Sequence, residues 1–158
     1  MKTIDISSVA TNQPMYLYQE PMFKLTVSVV MIVEDGVVVL VNNDGICQFP
    51  GGSVRPGVET IQFSAVRHFK EQTKILMQKD LLLPVDFRSS PERSAEGNVV
   101  DIGMLAVPEN VSVDNIKVEG LKWLKVDFSK RKLFVDHTMY MDHDVLLERA
   151  IDLFLMMK

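Results

Sequence analysis

Two almost continuous β-branched runs near the start of the chain constrain its fold most. Residues 25–33 read LTVSVVMIV and residues 37–41 read VVVLV, with EDG between them. Such runs are typical of strands, and the Asp35-Gly36 step suits the positive φ of a tight hairpin turn. Because few polar residues interrupt either run, both faces of each strand must be covered. This favours a sheet between two layers of helices over a half-exposed sheet.

Later segments supply the other elements of an α/β domain. Further strands are predicted at residues 81–87, 98–107 and 121–127. The polar loop between the first two, residues 88–97, is well placed to line a site. Asp142 is predicted to cap a C-terminal helix. That helix has an apolar stripe at Val145, Leu146, Ala150, Ile151, Phe154 and Leu155.

Length and composition predict one domain over residues 1–158. The chain is 47% hydrophobic and 24% charged, which suffices for one core but not for two ordinary domains. Residues 1–23 form an N-terminal extension, and its apolar segment 16–23 (YLYQEPMF) predicts an added strand or the contact of a homodimer.

Charge and cysteine content narrow the partners and the compartment. The net charge of −4, with no basic run, argues against a nucleic-acid partner. No segment approaches the roughly 18 apolar residues of a membrane span, and no targeting segment is evident, so we expect no membrane association. Cys47 is the only cysteine, which excludes an internal disulfide and favours a buried thiol in the cytoplasm.

The stretch FPGGSVRPGVETIQFSAVRHFKEQTKI, residues 49–75, carries the candidate chemistry. Gly51-Gly52 permits a sharp turn and close approach of the backbone to a ligand. A helix is predicted from Glu59 or Thr60, and its rotation of about 100° per residue separates two faces. The packing face comprises Ala65, Val66, Phe69 and Thr73, with Gln72 at the boundary. The opposite face comprises Ser64, Arg67, His68 and Glu71.

Two interpretations of that polar face follow from the residues alone. Arg67 and Glu71 suit an ordinary solvated i,i+4 ion pair. Alternatively, Arg67 and His68 beside the glycine turn form an anion-binding surface that needs no metal.

The same stretch resembles the Nudix box, which reads Gly, five residues, Glu, seven residues, Arg-Glu-apolar, one residue, Glu-Glu, one residue, Gly-apolar. The matching residues are Gly52, Glu59, Arg67, Phe69, Glu71 and Ile75. QFPGG before the box and the Trp123-containing strand at 121–127 extend the resemblance, which implies a Nudix-type α/β/α sandwich around a mixed β-sheet. Residues 88–106 and 141–154 are loosely similar to the ADP-ribose pyrophosphatase branch.

Four departures fall within the box. His68 stands in place of the Glu after Arg, Gln72 in place of the second paired Glu, and Lys74 in place of the glycine. Val58 lengthens the Gly52–Glu59 interval by one residue. These changes remove carboxylates, so the box looks degenerate.

The resemblance implies roles that these departures weaken. Nudix enzymes cleave a nucleoside diphosphate linked to another group, with Mg²⁺ held by box glutamates. By that resemblance the metal ligands are Glu71 and Gly52, the catalytic residues are Glu71, His68, Arg67 and Glu59, and the ligand-binding residues are Gly51, Gly52, Arg67 and Gln72. A neutral amide and an imidazole are poor ligands for hard Mg²⁺, so weak or absent magnesium binding is expected.

Three functions remain open at this point. The first is binding of a nucleoside-diphosphate-linked small molecule with impaired or lost hydrolysis. The second is an active Nudix hydrolase whose rearranged metal site draws on Glu59, Glu92 or Glu96, or whose general base is His68. The third is a non-catalytic partner-binding module.

Overall fold

The fold is given by a computed structural model that describes residues 23–89 and 98–158. The strands are β1 (Lys24–Val33), β2 (Gly36–Val41), β3 (Cys47–Gln48), β4 (Gly51–Ser53), β5 (Leu82–Arg88), β6 (Val99–Ala106), β7 (Leu121–Asp127) and β8 (Lys132–Leu133). The α-helices are α1 (Ile61–Thr73) and α2 (His143–Met156), and two 3₁₀ turns lie at Lys79–Leu81 and Val113–Asn115. The segment expected to add a strand or a dimer contact lies outside the described residues, apart from the exposed Phe23.

The strands form one mixed sheet in the order β5-β6-β1-β2-β7-β8, with β3 paired to β2 and β4 paired to β1. Strands β1 and β6 are parallel from Lys24↔Val99 to Met31↔Ala106. The other pairings are antiparallel. Strand β1 is therefore the centre of the sheet, because β2, β4 and β6 all pair with it.

Alternate residues of β1 belong to two different cores. One core joins Val27, Val29 and Met31 to Ala65 and Phe69 of α1. The other joins Val30 and Ile32 to Leu146, Leu147 and Ile151 of α2. Because successive strand residues point to opposite faces, α1 covers one face of the sheet and α2 the other. The predicted α/β/α sandwich around a mixed sheet is confirmed.

The hairpin between β1 and β2 is confirmed, but the expected turn residues were wrong by one position. Val33 pairs with Gly36, which leaves Glu34 and Asp35 as the loop. The positive φ, 56°, falls on Glu34 and not on the Asp35-Gly36 step. Gly36 is already part of β2, where a Cβ would lie 2.4 Å from the Trp123 ring, so close packing explains this glycine.

The start of α1 agrees with the sequence prediction, whereas one of its faces does not. Thr60 is the N-cap, and its hydroxyl accepts a hydrogen bond from the Phe63 amide at 3.1 Å. Ser64, expected on the exposed face, is fully buried. Its hydroxyl donates to the Ser53 carbonyl at 3.4 Å, because β4 packs against this end of the helix.

Helix α2 begins directly after Asp142, as predicted, but the Asp142 side chain does not cap it. That carboxylate instead accepts a hydrogen bond from Arg88. Leu147 is buried, whereas Leu155 of the predicted apolar stripe is exposed. Neither helix, nor any other in the described part of the chain, is long and apolar enough to cross a membrane.

Candidate functional site

Strand β4 and helix α1 bring together all the candidate residues of the box. The backbone of Gly51 faces α1, whereas Pro50 accepts from Val29 on β1 and Val54 donates to Leu25 on β1. Since backbone groups alternate in direction along a strand, the Gly52 amide and carbonyl point toward β1. We call the face of β4 that packs against α1 the helix side of β4.

Gln72 binds the backbone of Gly51 with both ends of its amide. The Gly51 N–H donates to Oε1 at 2.8 Å, and Nε2 donates to the Gly51 carbonyl at 2.9 Å. A Cβ at Gly51 would lie 1.9 Å from the Val27 carbonyl, so only glycine fits between the helix and β1. The residue predicted to bind a ligand is therefore occupied by the protein's own backbone.

His68 covers Gly52. A Cβ added to Gly52 would lie 2.4 Å from Cε1 of the imidazole, so the ring packs directly against this glycine. Nε2 of His68 lies 2.8 Å from the Ser53 carbonyl. The same nitrogen lies 3.3 Å from Nη2 of Arg67, which can only donate, so the two contacts favour opposite tautomers of the imidazole. The imidazole thus fills space at the position where the resemblance implies a carboxylate.

Arg67 and Glu59 form a two-point ion pair. Nε and Nη2 of Arg67 donate to the two carboxylate oxygens of Glu59 at 3.0 and 2.7 Å. The Glu59 side chain is only 3% exposed, and the hydrogen bond from Arg67 lowers its pKa to about 2. The hydrogen bond to Glu59 in turn raises the pKa of Arg67. The guanidinium of Arg67 and the carboxylate of Glu59 are therefore each other's main charged partner.

The extra residue Val58 leaves this ion pair intact. Val58 is 79% exposed in a turn where Gly57 has a φ of 73°. The amides of Val58 and Glu59 both donate to the Arg55 carbonyl at 3.2 Å. The turn therefore absorbs the insertion and returns Glu59 to Arg67.

The remaining box carboxylate, Glu71, does not make a fitting magnesium site with its neighbours. Its side chain is 58% exposed, and its nearest charged partner is Nη1 of Arg67 at 3.6 Å. Within residues 23–89 and 98–158, no group of three or more His, Cys, Asp or Glu side chains is positioned to hold a metal ion. Glu92 and Glu96, the alternative ligands, lie outside the described residues. A single solvated carboxylate beside a guanidinium is a poor donor set for Mg²⁺.

A cavity of about 210 Å³ opens where Gly51, Gly52 and Ser53 of β4 face the neighbouring strands and the start of α2. Its other lining residues are Lys24, Thr26, Val27, Ser28, Gln48, Phe49, Val99, Asp101, Tyr140, Met141 and His143. This region is called here the cavity side of β4. Its volume is below the roughly 300–1,000 Å³ of typical ligand pockets, so a ligand of that size would fill it only with one part.

His143, the residue after the predicted cap Asp142, has a structural role in this cavity. Its Nδ1 accepts a hydrogen bond from the buried Phe49 amide at 3.0 Å. The imidazole stacks on Phe49 and meets Tyr140 edge to face, with ring centroids 5.6 Å apart in each case. His143 thereby joins the start of α2 to the segment that leads into β4. His137, assigned to a turn, is exposed.

Asp101 forms the polar wall of the cavity, which sequence reasoning missed. It is 2% exposed and accepts hydrogen bonds from the hydroxyls of Thr26 at 2.6 Å and Ser28 at 3.1 Å. Because both hydroxyl protons are used, these oxygens have only acceptor capacity left for a ligand. The signal was available in the sequence, since Thr26, Ser28 and Asp101 interrupt otherwise apolar strands.

Arg88 holds Asp101 from behind. Its guanidinium donates to the carboxylates of Asp101, Asp142 and Asp86, and Asp86 also accepts from Arg149 at 2.8 Å. Arg88 is 7% exposed, so the network is largely shielded from water. It connects β5, β6 and the start of α2 around the cavity.

Comparison with known proteins supports the architecture through structure alone. No protein-family model and no curated protein sequence matches the chain. Among solved structures, a MutT/nudix family protein from Enterococcus faecalis superposes with a TM-score of 0.70 and 16% identity, over 98% of this chain and 76% of that one. The chain has the Nudix fold.

Three further solved structures, two of them of the same protein, have the same fold. The Nudix domain of Shewanella oneidensis NrtR, complexed with ADP ribose, matches with a TM-score of 0.68 and 16% identity over 96% of this chain and 99% of that one. This chain spans 62% of the longer NrtR chain that was solved with a 27mer DNA. An ADP-ribose pyrophosphatase from Streptococcus suis matches with a TM-score of 0.60 and 15% identity, over 87% and 94% of the two chains.

Proposed function

We propose that this Nudix-fold chain binds a nucleoside-diphosphate-linked small molecule and that its Mg²⁺-dependent pyrophosphohydrolase activity is impaired or lost. One observation carries the proposal: the box side chains bind the protein itself, while a polar cavity stays open beside the same strand. Gln72 is occupied by Gly51, His68 by Ser53, and Arg67 by Glu59.

The cavity side of β4 supports a ligand that donates hydrogen bonds. The Thr26 and Ser28 oxygens accept, and Asp101 behind them is anionic in the ion pair with Arg88. An amino, carboxamide or ribose hydroxyl group suits such a wall, because each can donate a hydrogen bond to these oxygens. The ADP ribose in the NrtR Nudix domain carries groups of this kind, which supports the same class of ligand here. We therefore assign the non-phosphate end of the ligand to the cavity.

The contacts on the helix side of β4 support the proposal that hydrolysis is impaired. Neither Gln72 nor His68 offers a negative charge, and Glu59 is neutralised by Arg67. Losing a positioned general base alone costs roughly 10²–10⁴ in rate, so a slow enzyme that still binds its ligand is compatible with this arrangement.

An active hydrolase is the second candidate, favoured by the exposure of Glu71. Its carboxylate is accessible beside Arg67, Lys70 and Lys74, and these four residues line an open surface pocket of about 360 Å³ suited to an anion. The S. suis pyrophosphatase shares the fold and supports this alternative. The third hypothesis is a partner-binding module. The covered helix side of β4 supports it, whereas the open cavity does not.

The compartment and the oligomeric state remain proposals. Cys47 is free and buried, and burial raises the pKa of its thiol. A free cysteine fits the cytoplasmic setting proposed here. A homodimer formed through residues 1–23 stays a prediction.

Isothermal titration of the purified chain with ADP-ribose, NAD and nucleoside triphosphates, with and without Mg²⁺, tests the proposal. We expect at least one of these ligands to bind without Mg²⁺ and without release of products. Tyr140→Ala should weaken that binding about tenfold, because it removes an aromatic wall of the cavity. The matched control is Phe134→Ala, which removes an exposed aromatic side chain that does not line the cavity.

Two outcomes would overturn this proposal. If none of the ligands binds, or if Phe134→Ala weakens binding as much as Tyr140→Ala, the cavity is not the site. If Mg²⁺-dependent products appear and Glu71→Gln abolishes them, the altered box is still catalytic.

A further inference from the structure

The two hydrogen bonds between Gln72 and Gly51 have a polarity that only an amide can supply. Oε1 accepts from the Gly51 N–H, and Nε2 donates to the Gly51 carbonyl at 2.9 Å. Both partners are partly buried, and the backbone groups of Gly51 have no strand partner on this side. The amide therefore satisfies one donor and one acceptor at the same time.

A carboxylate at position 72 would satisfy only half of this contact. One oxygen would still accept from the Gly51 N–H, but the other would face the Gly51 carbonyl, and two acceptors repel at that distance. A proton or a cation would have to lie between them. Glu71, the preceding residue of the helix, is the remaining box carboxylate and is exposed to solvent.

We propose that the Nε2 amide group of Gln72 takes the place of a divalent cation between helix α1 and Gly51. The helix side of β4 is then closed by the chain itself and needs no metal. A single change, Gln72→Glu, would make the same contact depend on a divalent cation. This inference goes beyond the proposed function, because it concerns what holds α1 against β4 and holds whether or not a nucleotide binds.

Thermal unfolding of the wild type and of Gln72→Glu, each in EDTA and in excess MgCl₂ or MnCl₂, tests the inference. We expect the melting temperature of the wild type to be the same in both solutions. In EDTA, Gln72→Glu should melt about 3–10 °C lower, since one buried acceptor loses its donor. Divalent cation should restore most of that loss, and the further variant Glu71→Gln in the Gln72→Glu background should weaken the restoration.

Gln62→Glu is the matched control. It makes the same chemical change on the exposed first turn of α1, away from Gly51. Its melting temperature should not respond to Mg²⁺. If it responds as Gln72→Glu does, the cation acts on the general charge of the chain and the inference is wrong.

A direct metal measurement covers the case in which Gln72→Glu does not fold in EDTA. Refolding in MnCl₂ should then recover the variant, and electron paramagnetic resonance should show bound Mn²⁺ for Gln72→Glu but not for the wild type. Tight Mn²⁺ binding by the wild type would overturn the inference, as would a Gln72→Glu variant that neither binds Mn²⁺ nor is stabilised by it.

Discussion

The two sides of strand β4 differ in what they leave accessible. On the helix side, Gln72 and His68 bind or cover the glycines, and the Arg67 and Glu59 charges are paired. On the cavity side, the polar wall is also internally bonded, yet about 210 Å³ of space stays open in front of it. Satisfied polar groups are found on both sides. Open space next to the strand itself lies on the cavity side, whereas the pocket on the other side is formed by exposed side chains of α1, namely Arg67, Lys70, Glu71 and Lys74.

Two of the replaced box residues make new contacts within the protein. Each replacement gives a contact that the protein uses: the amide of Gln72 holds Gly51, and the imidazole of His68 holds Ser53. A box that had only lost carboxylates would leave unsatisfied groups behind, but the described residues contain no buried side-chain nitrogen or oxygen without a partner. The helix side is thus rebuilt as a structural contact.

The largest effect is expected from removing the guanidinium of Arg88, which supports the cavity side of β4. Arg88→Met leaves Asp86, Asp101 and Asp142 without their shared cation, which should cost about 3–5 kcal/mol of unfolding free energy. Urea denaturation measures it. Arg131→Met, which breaks the exposed pair with Asp152, should cost about 1 kcal/mol or less. Equal costs would mean that the buried network does not support the cavity.

A smaller effect is expected from crowding the helix side. Gly52→Ala places a methyl group against the His68 ring and should cost about 1–3 kcal/mol. In a His68→Ala background the methyl group has room, so most of that cost should vanish in a double-mutant cycle. A cost that stays unchanged would show that the imidazole is not what makes glycine necessary.

The ion pair between Arg67 and Glu59 should affect how steeply the melting temperature falls in acid. The pKa of Glu59 is about 2 in the folded chain, below its ordinary value of 4.5. A carboxyl group with a lowered pKa stabilises the fold above its ordinary pKa, and that stability is lost as the pH falls from about 4.5 toward 2. Glu59→Gln should therefore flatten the fall in melting temperature across this window. Glu148→Gln, an exposed change on α2, should keep the wild-type slope. Parallel slopes for all three proteins would contradict the pairing.

The smallest effect is expected at the end of α1. Lys74 has a φ of 61°, a conformation that favours glycine, and stands where the Nudix box has that residue. Lys74→Gly should stabilise the chain by about 0.5–1 kcal/mol. The same replacement inside the helix, Lys70→Gly, should destabilise it by about 1 kcal/mol. A loss of stability for Lys74→Gly would mean that the hydrogen bond from Lys74 Nζ to the Glu71 carbonyl outweighs the backbone strain.

The sequence was sufficient for the layers of the fold because period and composition are local properties. The almost continuous apolar run 25–33 predicted a strand covered on both faces, and residues 121–127 were predicted with the observed bounds of β7. The helix that was predicted to begin at Glu59 or Thr60 likewise begins after Thr60.

The candidate site was less accessible to sequence reasoning, because its contacts depend on distant segments. Arg88 and Asp142 are 54 residues apart, and Phe49 and His143 are 94 apart. The parallel register that brings Thr26 beside Asp101 is set only when β1 and β6 pair. Nor did the sequence indicate that Gln72 would bind Gly51, since either end of an amide suits many partners.

The most direct test of a closed helix side and an open cavity side is the amide spectrum of ¹⁵N-labelled protein. ADP-ribose would be added in EDTA, followed by excess Mg²⁺. We expect the ligand to shift the backbone resonances of residues such as Ser28 and Asp101, and Mg²⁺ to leave the Gly51 amide and the Gln72 side-chain amide unmoved. Shifts of Gly51, Glu71 and Gln72 on addition of Mg²⁺, with no response of the cavity residues to ADP-ribose, would contradict both halves of the comparison.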